Sequence, residues 1–136
     1  MITRRDLLAG VTGLGGTLAV HPAQALERGT LFEVASRLVP IYRNHDADAL
    51  HAMLAPDLQG DFPPAALARW LDEARATFGI LQRTSLPTYG SRAHSIFIAY
   101  FDRGPSDMFL EIDQQERLLL WALKNDSKVL AIRRRA

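Results

Sequence analysis

The sequence predicts an α+β domain in which helices come first and an antiparallel sheet follows. Two observations support this class. Between residues 30 and 79, apolar residues recur at intervals of three and four, which is the helical period. From residue 82 onward the chain is richer in Thr, Ile, Phe, Tyr and Leu, and turn clusters separate the apolar runs, as in successive strands. We expect the helices to bury their apolar stripes against one face of the sheet.

The first predicted helix runs from Thr30 to Asn44. Its apolar stripe consists of Leu31, Val34, Ala35, Leu38, Ile41 and Tyr42. Thr30 and Glu33 match a capping box at the helix start. We expect Pro40 to kink the last turn, because proline removes a backbone donor.

Two further helices are predicted before the sheet. The second covers residues 46–54, begins with Asp46 as its N-cap, and turns its apolar side inward. The third begins at Pro63 and Pro64 and ends at Gly79. Its buried stripe is predicted to be Leu67, Trp70, Leu71, Ala74 and Phe78.

Four strands are predicted in the second half of the chain. They lie near residues 82–90, 93–102, 107–113 and 117–124. Residues 104–106 are expected to join the second strand to the third, and residues 114–116 the third to the fourth. Such short links imply an antiparallel meander. Two alternatives remain for residues 125–136, a further short strand or a loose tail.

The first 25 residues have the layout of a cleaved export signal. Thr3-Arg4-Arg5-Asp6-Leu7-Leu8 resembles the twin-arginine pattern, an apolar stretch extends to Val20, and Ala23-Gln24-Ala25 resembles a cleavage site. We expect cleavage after Ala25 and a periplasmic or secreted location. The alternatives are an ordinary secretory signal and an uncleaved anchor. The apolar stretch is shorter than the roughly 20 residues that span a bilayer, which disfavours a stable membrane anchor.

Composition limits what the mature chain is expected to do. Removing residues 1–25 from the 136-residue chain leaves 111 residues, 26–136, which is the size of one domain. These residues hold 14 Lys and Arg and 14 Asp and Glu, and the absence of net charge argues against a nucleic-acid partner. The sequence has no cysteine for disulfide or thiolate chemistry. It also lacks a phosphate-binding glycine loop and a serine nucleophile elbow. We expect no cofactor.

Three segments resemble a known superfamily. They are Arg43-Asn-His-Asp-Ala-Asp-Ala-Leu-His-Ala-Met-Leu-Ala-Pro-Asp57, Asp107-Met-Phe-Leu-Glu-Ile-Asp113 and Arg117-Leu-Leu-Leu-Trp-Ala-Leu123. The first resembles the helix-turn-helix start of the nuclear transport factor two-like, or cystatin-like cone, superfamily, and the others are similar to its final hairpin. The resemblance covers about residues 30–124. It implies a strongly curved sheet wrapped around the helices, with a pocket at the wide end.

The cone predicts which residues line a ligand pocket and which perform chemistry. The predicted lining is Tyr42, Trp70, Phe78, Phe97 and Glu111, together with the ring of Tyr100. His94 shares one strand face with Tyr100, so His94 beside Glu111 is a candidate general base. The resemblance places a catalytic carboxylate near Asp61, whose other expected role is to cap the third helix. The oxyanion tyrosine of the related isomerases falls at a position that holds Leu38 here, and Tyr42, one turn on, could substitute only if Pro40 rotates it inward.

The apolar residues of the last two strands predict a covered sheet. Met108, Leu110 and Ile112 lie on one side and Phe109 on the other, and the following strand is apolar on both sides. We expect a homodimer formed sheet to sheet. The alternative is that the C-terminal segment folds over the sheet.

Two polar clusters have plain alternatives to a functional role. His45, Asp46, Asp48 and His51 lie at helical spacing and could bind zinc, but their residue types also suit a helix start and solvent. We therefore assign no metal site. The basic end at residues 133–135 could contact an acidic partner or anionic lipid, but three charges supply little binding and we expect a solvated tail.

Two functions are therefore considered. The favoured one is a noncatalytic exported domain that binds a small apolar or amphipathic ligand, or a partner protein. The alternative is a cofactor-free isomerase, cyclase or dehydratase that uses His94, Tyr100 or Asp61. The two differ in geometry, because catalysis requires a His or carboxylate within hydrogen-bond reach of a group in the pocket.

Overall fold

The computed structural model describes residues 22–91 and 93–134, in which four helices pack on an antiparallel sheet. The predicted α+β class is thereby confirmed. The predicted export signal lies outside the described residues except for its last four positions.

The first helix, α1, spans Pro22–Arg43 and begins eight residues before the predicted start. Thr30 and Glu33 lie inside it, so the predicted capping box is wrong. The intervening Ala, Gln, Leu and Glu residues favour a helix, which explains the earlier start. The predicted stripe is confirmed, since all six of its residues are buried. Pro40 lies in the last turn, where its carbonyl accepts a hydrogen bond from the Asn44 amide at 2.9 Å.

Three shorter helices follow. In α2, Ala47–Met53, the Asp46 carboxylate accepts the Ala49 amide at 3.1 Å, as predicted for an N-cap. The helix α3, Pro56–Asp61, was not predicted, because its six residues bury only Leu58 and present no apolar period. The last helix, α4, spans Pro64–Phe78 and ends at Gly79, as predicted. Gly79 has φ +98°, and a side chain there would meet the Asp102 carboxylate.

Six strands form the sheet in the described part of the chain. They are β1 (Leu81–Thr84), β2 (Tyr89–Gly90), β3 (His94–Phe101), β4 (Gly104–Ile112), β5 (Leu118–Lys124) and β6 (Val129–Arg133). The order is β1-β3-β4-β5-β6, and β2 pairs with the same edge of β3 as β1. Every pairing is antiparallel. The prediction of about four strands is therefore corrected to six, which occupy five positions across the sheet.

Two strand boundaries differ from the prediction. The predicted strand at residues 82–90 is divided into two short strands, β1 and β2, because Pro87 between them lacks an amide donor. The segment between β1 and β2 is held to β3 partly by hydrogen bonds that involve side-chain hydroxyl groups. Residues 104–106 lie inside β4, so the turn between β3 and β4 consists of Asp102 and Arg103. The turn after β4 is as predicted. There the Asp113 carboxylate accepts the amides of Gln115 and Arg117, each at 2.9 Å.

The C-terminal segment extends the sheet. β6 pairs with β5, so residues 129–133 form the further strand that was one of the two alternatives for the tail, and residues 125–128 form the turn before it. Lys128 Nζ lies 3.2 Å from Glu73 Oε2 in α4, and Arg134 Nη2 lies 3.0 Å from Asp57 Oδ2 in α3. These exposed ion pairs connect both ends of β6 to the helices. The described part of this segment therefore does not fold over the sheet.

The two faces of the sheet have different surroundings. We call the side that contacts the helices the inner face and the opposite side the outer face. Inner-face residues alternate along each strand and belong to the same buried core as the helical stripes. They are Phe97, Ala99, Phe101, Met108, Leu110, Trp121, Leu123, Leu130 and Ile132. The residues between them lie on the outer face and are mostly half-buried.

An aromatic cluster fills the space between the helices and the inner face. Tyr42 packs edge-on against Phe101 and Trp121, with ring centroids 5.6 and 6.4 Å apart. Phe78 stacks on Phe101 at 5.5 Å, and Trp70 lies 4.9 Å from Trp121. The cluster joins α1 and α4 to β3 and β5, and aromatic contacts of this kind add to the effect of burial alone.

The Tyr42 phenol also connects two helices by a hydrogen bond. Its hydroxyl donates to the carbonyl oxygen of Gly79 at 2.7 Å, at the end of α4. The side chain is buried, and burial raises the pKa of the phenol above its usual value of 10.0. The neutral phenol is therefore the form that stabilises the fold.

Tyr42→Phe is expected to lower the free energy of unfolding by about 1–2 kcal/mol at pH 7, because it removes a buried hydrogen bond. Above pH 10 the phenol ionises in unfolded wild type but stays neutral in the fold, so wild type loses stability as the pH rises. The difference in the free energy of unfolding between wild type and Tyr42→Phe should therefore shrink by about 1.4 kcal/mol for each further pH unit. Urea unfolding at pH 7, 10 and 11 measures this.

Tyr100→Phe is the matched control, since the Tyr100 ring is on the outer face and half-buried. Tyr100→Phe should change the free energy of unfolding by no more than about 0.5 kcal/mol at pH 7. If the loss of unfolding free energy caused by Tyr42→Phe were the same at pH 7 and pH 11, the role assigned to the phenol would be contradicted.

Candidate functional site

A cleft of about 510 Å³ lies between α1 and the hairpin formed by β2 and β3. It is lined by Leu31, Pro87, Thr88, Gly90, Ser91, His94 and Ser95. Pro87 contributes apolar surface, and the hydroxyl and imidazole groups contribute polar surface, while Leu31 is buried behind the cleft wall. The cleft is open to solvent, and its volume lies within the range of small-molecule pockets in proteins.

The hairpin turn positions the polar groups of the cleft. The Ser91 amide donates to the His94 carbonyl at 2.8 Å, and the Ala93 amide donates to Ser91 Oγ at 3.2 Å. Ser91 Oγ lies 3.0 Å from His94 Nδ1. Because Ser91 Oγ already accepts from Ala93, its own hydrogen is available to donate to His94. The turn thus places a serine hydroxyl and an imidazole side by side at an exposed edge of the cleft.

Gly90 allows the close approach within this hairpin. Its φ is +128°, and a side chain at this position would clash with the His94 carbonyl oxygen and approach Ser95 Cα to 2.8 Å. Only glycine fits both constraints.

Side chains replace part of the strand ladder beside the cleft. Ser85 Oγ accepts the Ile98 amide at 2.9 Å, while the Ser85 amide donates to the Ile98 carbonyl at 2.8 Å. Thr88 donates to the Ile96 carbonyl through both its amide and its hydroxyl, each at 2.8 Å. These bonds hold the connection between β1 and β2 against β3, so one wall of the cleft is fixed by hydrogen bonds to the sheet.

The three predicted catalytic residues lie in different parts of the fold. His94 is the first residue of β3 and is exposed, and Tyr100 is on the same outer face, as predicted. Six residues along a strand separate them by about 20 Å, too far to act on one small substrate. Arg83 lies over the Tyr100 ring at 3.9 Å, a cation–π contact. Glu111 is directly opposite His94 across β3 and β4, as the prediction for His94 requires.

Asp61 is the last residue of α3 and is exposed. Its predicted capping of the following helix is wrong, because the N-cap of α4 is Pro63 and no side chain accepts a hydrogen bond there. The reason is the unpredicted helix α3, which places Asp61 in a helical turn.

The predicted pocket residues divide between the core and the surface. Tyr42, Trp70, Phe78 and Phe97 are buried and pack within the core. Glu111 lies on the outer face of the sheet, whereas Phe97 lies on the inner face. The aromatic side chains therefore fill the interior with each other.

The two indoles of the core have an unusual polar feature. Nε1 of Trp70 and Nε1 of Trp121 are buried, and neither has a hydrogen-bond acceptor among the described residues. An unpaired buried donor costs about 1–3 kcal/mol. The packing of the large rings must therefore offset this loss.

The histidines near α2 have separate partners. His45 Nε2 lies 2.7 Å from Asp72 Oδ1 and 3.0 Å from the Ala68 carbonyl, so that nitrogen must carry the hydrogen. His51 Nε2 lies 3.2 Å from the Gln59 carbonyl. Across residues 22–91 and 93–134, no three His, Cys, Asp or Glu side chains are placed to hold a metal ion.

A second depression, of about 400 Å³, lies at the opposite end of β4 and β5. Its lining is Pro105, Ser106, Asp107, Lys124, Asn125 and Asp126. The charged and amide side chains make it much more polar than the cleft, so it is less suited to an apolar ligand.

Sequence reasoning selected His94 but placed it in a pocket lined by the core aromatic residues, and it missed the residues that line this cleft with it. Leu31 was assigned to the helical stripe, and Pro87, Thr88 and Gly90 were assigned to one continuous strand. Pro87 and Gly90 were the available signal, because both residues interrupt regular strands.

The chain matches no protein-family model, no curated protein and no solved structure. Within the described ranges, no helix combines the length and apolarity required to cross a membrane.

Gly90→Ala is expected to lower the free energy of unfolding by about 1–3 kcal/mol, because it forces a side chain into a strained backbone conformation. The control is Gly60→Ala in α3, where the added methyl group meets open space. That variant should be neutral or up to about 1 kcal/mol more stable. Urea unfolding gives both values. Equal effects of the two substitutions would contradict the close packing described for the hairpin.

Proposed function

We propose that this protein is an exported, noncatalytic binding domain that holds a small amphipathic ligand in the cleft beside β2 and β3. The single observation that carries the proposal is the cleft, whose volume is about 510 Å³ and whose lining combines apolar and hydrogen-bonding groups. Pockets of roughly 300–1,000 Å³ accommodate small organic molecules.

The lining favours a ligand with one apolar and one polar end. Pro87 offers an apolar contact, while Ser91 and His94 offer hydrogen bonds close together on the turn. The aromatic core is filled by its own side chains, which favours the cleft over the interior as the binding site. Assignment to the cone superfamily is part of this proposal. It is supported by helices packed on an antiparallel sheet in the order that the resemblance implies.

A second candidate function is a cofactor-free isomerase, cyclase or dehydratase. The contact of 3.0 Å between Ser91 Oγ and His94 Nδ1, with Glu111 opposite His94, favours it. In this alternative His94 is the general base, and Glu111 orients the imidazole or stabilises its protonated form. Tyr100 and Asp61 take no part, because Tyr100 is about 20 Å away along the strand and Asp61 does not line the cleft.

Ser91→Trp tests the cleft as the binding site, because an indole at this position would occupy it. We expect the affinity for the fluorescent amphipathic anion 8-anilinonaphthalene-1-sulfonate to fall by about tenfold or more. Ser127→Trp is the matched control, since it adds the same ring to an exposed turn between β5 and β6. Fluorescence titration measures both dissociation constants.

The same titration should be repeated after Phe109→Lys has been added to wild type and to both tryptophan variants. The added lysine removes binding of the dye to the apolar outer face. Equal affinities of the two tryptophan variants would exclude the cleft. Native mass spectrometry of protein from its own host then separates the two functions. One unaltered small molecule supports binding, whereas a substrate and product mixture supports catalysis.

Export by the twin-arginine route is the second part of the proposal. Replacing both Arg4 and Arg5 by Lys should reduce the amount of exported protein by about tenfold or more, because the receptor reads this pair. N-terminal sequencing of exported wild type should begin at Leu26. Arg28→Lys, beyond the predicted cleavage site, is the control. Normal export of the double variant would instead indicate the ordinary secretory route.

A further inference from the structure

The outer face of the sheet consists of rows that cross β3, β4, β5 and β6, and the strand register fixes the members of each row. The first row is His94, Glu111, Leu120 and Arg133; the second is Ile96, Phe109, Ala122 and Ala131; the third is Ile98, Asp107, Lys124 and Val129. The second row is wholly apolar, so an apolar band crosses four strands.

Nothing in the described part of the chain packs a second layer on this band. The helices and the inner face form one core, and β6 continues the sheet as its edge strand. Val129, at the edge of the third row, is 57% exposed. A broad apolar face of this kind is typical of an association surface.

We propose that a second copy of this chain covers the outer face, related by a twofold axis parallel to the strands and between β4 and β5. In this arrangement β4 packs over β5 of the partner, and β3 packs over the partner's β6. Both copies use the same patch, as a twofold dimer requires. Sheets packed face to face keep their strands within about 30° of each other, so these central pairings are retained.

Side-chain sizes across this axis are complementary. Phe109 lies over the partner's Ala122, and Ile96 lies over the partner's Ala131, so a large residue meets a small one twice in each half. Interdigitation of large and small side chains permits the close packing found in stable interfaces.

Charges across this axis are also complementary. Asp107 lies over the partner's Lys124, and symmetry repeats the pair. An axis perpendicular to the strands would instead place Glu111 over the partner's Asp107, which brings like charges together. The register therefore favours the parallel axis. The mature chain has equal numbers of acidic and basic residues, so net charge does not oppose association.

The size of the patch determines how tight the dimer can be. Four strands spaced by about 4.8 Å and three rows spaced by about 6.8 Å give a footprint of roughly 400 Å². This is near half of what a standard interface buries on each partner. We therefore expect a dimer that dissociates on dilution.

Sedimentation equilibrium from about 1 to about 200 μM tests the dimer. Wild type should shift from monomer to dimer over this range, and Phe109→Lys should remain monomeric. Ile80→Lys is the control, because it places the same charge on a partly exposed apolar residue that precedes β1. It should dimerise as wild type does. Circular dichroism of each variant confirms that it is folded.

Charge reversal tests the axis itself. Asp107→Lys and Lys124→Asp should each weaken self-association by about tenfold, because each puts like charges across the axis. Mixing the two variants should restore a dimer, since one chain then presents two lysines opposite two aspartates of the other. This rescue cannot come from the contact between residues 107 and 124 within one chain, because that contact stays repulsive in both variants.

Three outcomes would overturn the proposal. Wild type that is monomeric at every concentration excludes a second copy as the occupant of the face. A dimer unaffected by Phe109→Lys places the interface elsewhere. Failure of the mixed variants to associate, while each folds normally, excludes the parallel axis.

Discussion

The structure depends on one constraint, namely that the helices cover only one face of a single antiparallel sheet. Successive residues of a strand point to opposite faces, so this arrangement divides each strand into core residues and residues that need another environment. Phe97 and Ile98 are neighbours in the chain, but the first is fully buried beneath the helices and the second is half-buried on the outer face. The core, the cleft and the uncovered apolar band all follow from this division.

The aromatic core determines where a ligand can bind. Tyr42 and Phe78 both pack against Phe101, and the two tryptophans pack beside them, so the space between the helices and the sheet is occupied. Burial of these rings stabilises the fold, and it leaves ligand-sized space at the rim, where α1 meets the β2–β3 hairpin. There the backbone turns and its polar groups are accessible. Stability and the proposed ligand binding thus depend on different residues.

Local signals explain which parts of the fold the sequence predicted. The helical stripes, the Asp46 cap and the Gly79 end depend on nearby residues, and all three were predicted correctly. The start of α1 and the short helix α3 were missed because they lack an apolar period. Whether the tail forms a strand remained open for a different reason, since residues 129–133 are too few to distinguish an edge strand from an irregular end.

The cleft could not be predicted from local signals, because it joins Leu31 to a turn some sixty residues later. Apolar composition identified Trp70, Phe78 and Phe97 as inward-facing, but a filled core and a lined pocket have the same composition. Only packing distinguishes them. His94 was singled out because its strand neighbours are apolar, and the structure adds Ser91 as its hydrogen-bond partner.

The two proposed surfaces meet at the start of β3, and this has a consequence for how they act together. His94 lines the cleft and also begins the first row of the outer face, while Ile96 is in the apolar row two residues on. A second copy packed on that row restrains β3 and with it the hairpin that forms one wall of the cleft. When one binding event orders the β2–β3 hairpin, the other binding event costs less conformational entropy. Ligand binding and dimerisation should therefore favour each other, and thermodynamic linkage requires the effect to be equal in both directions.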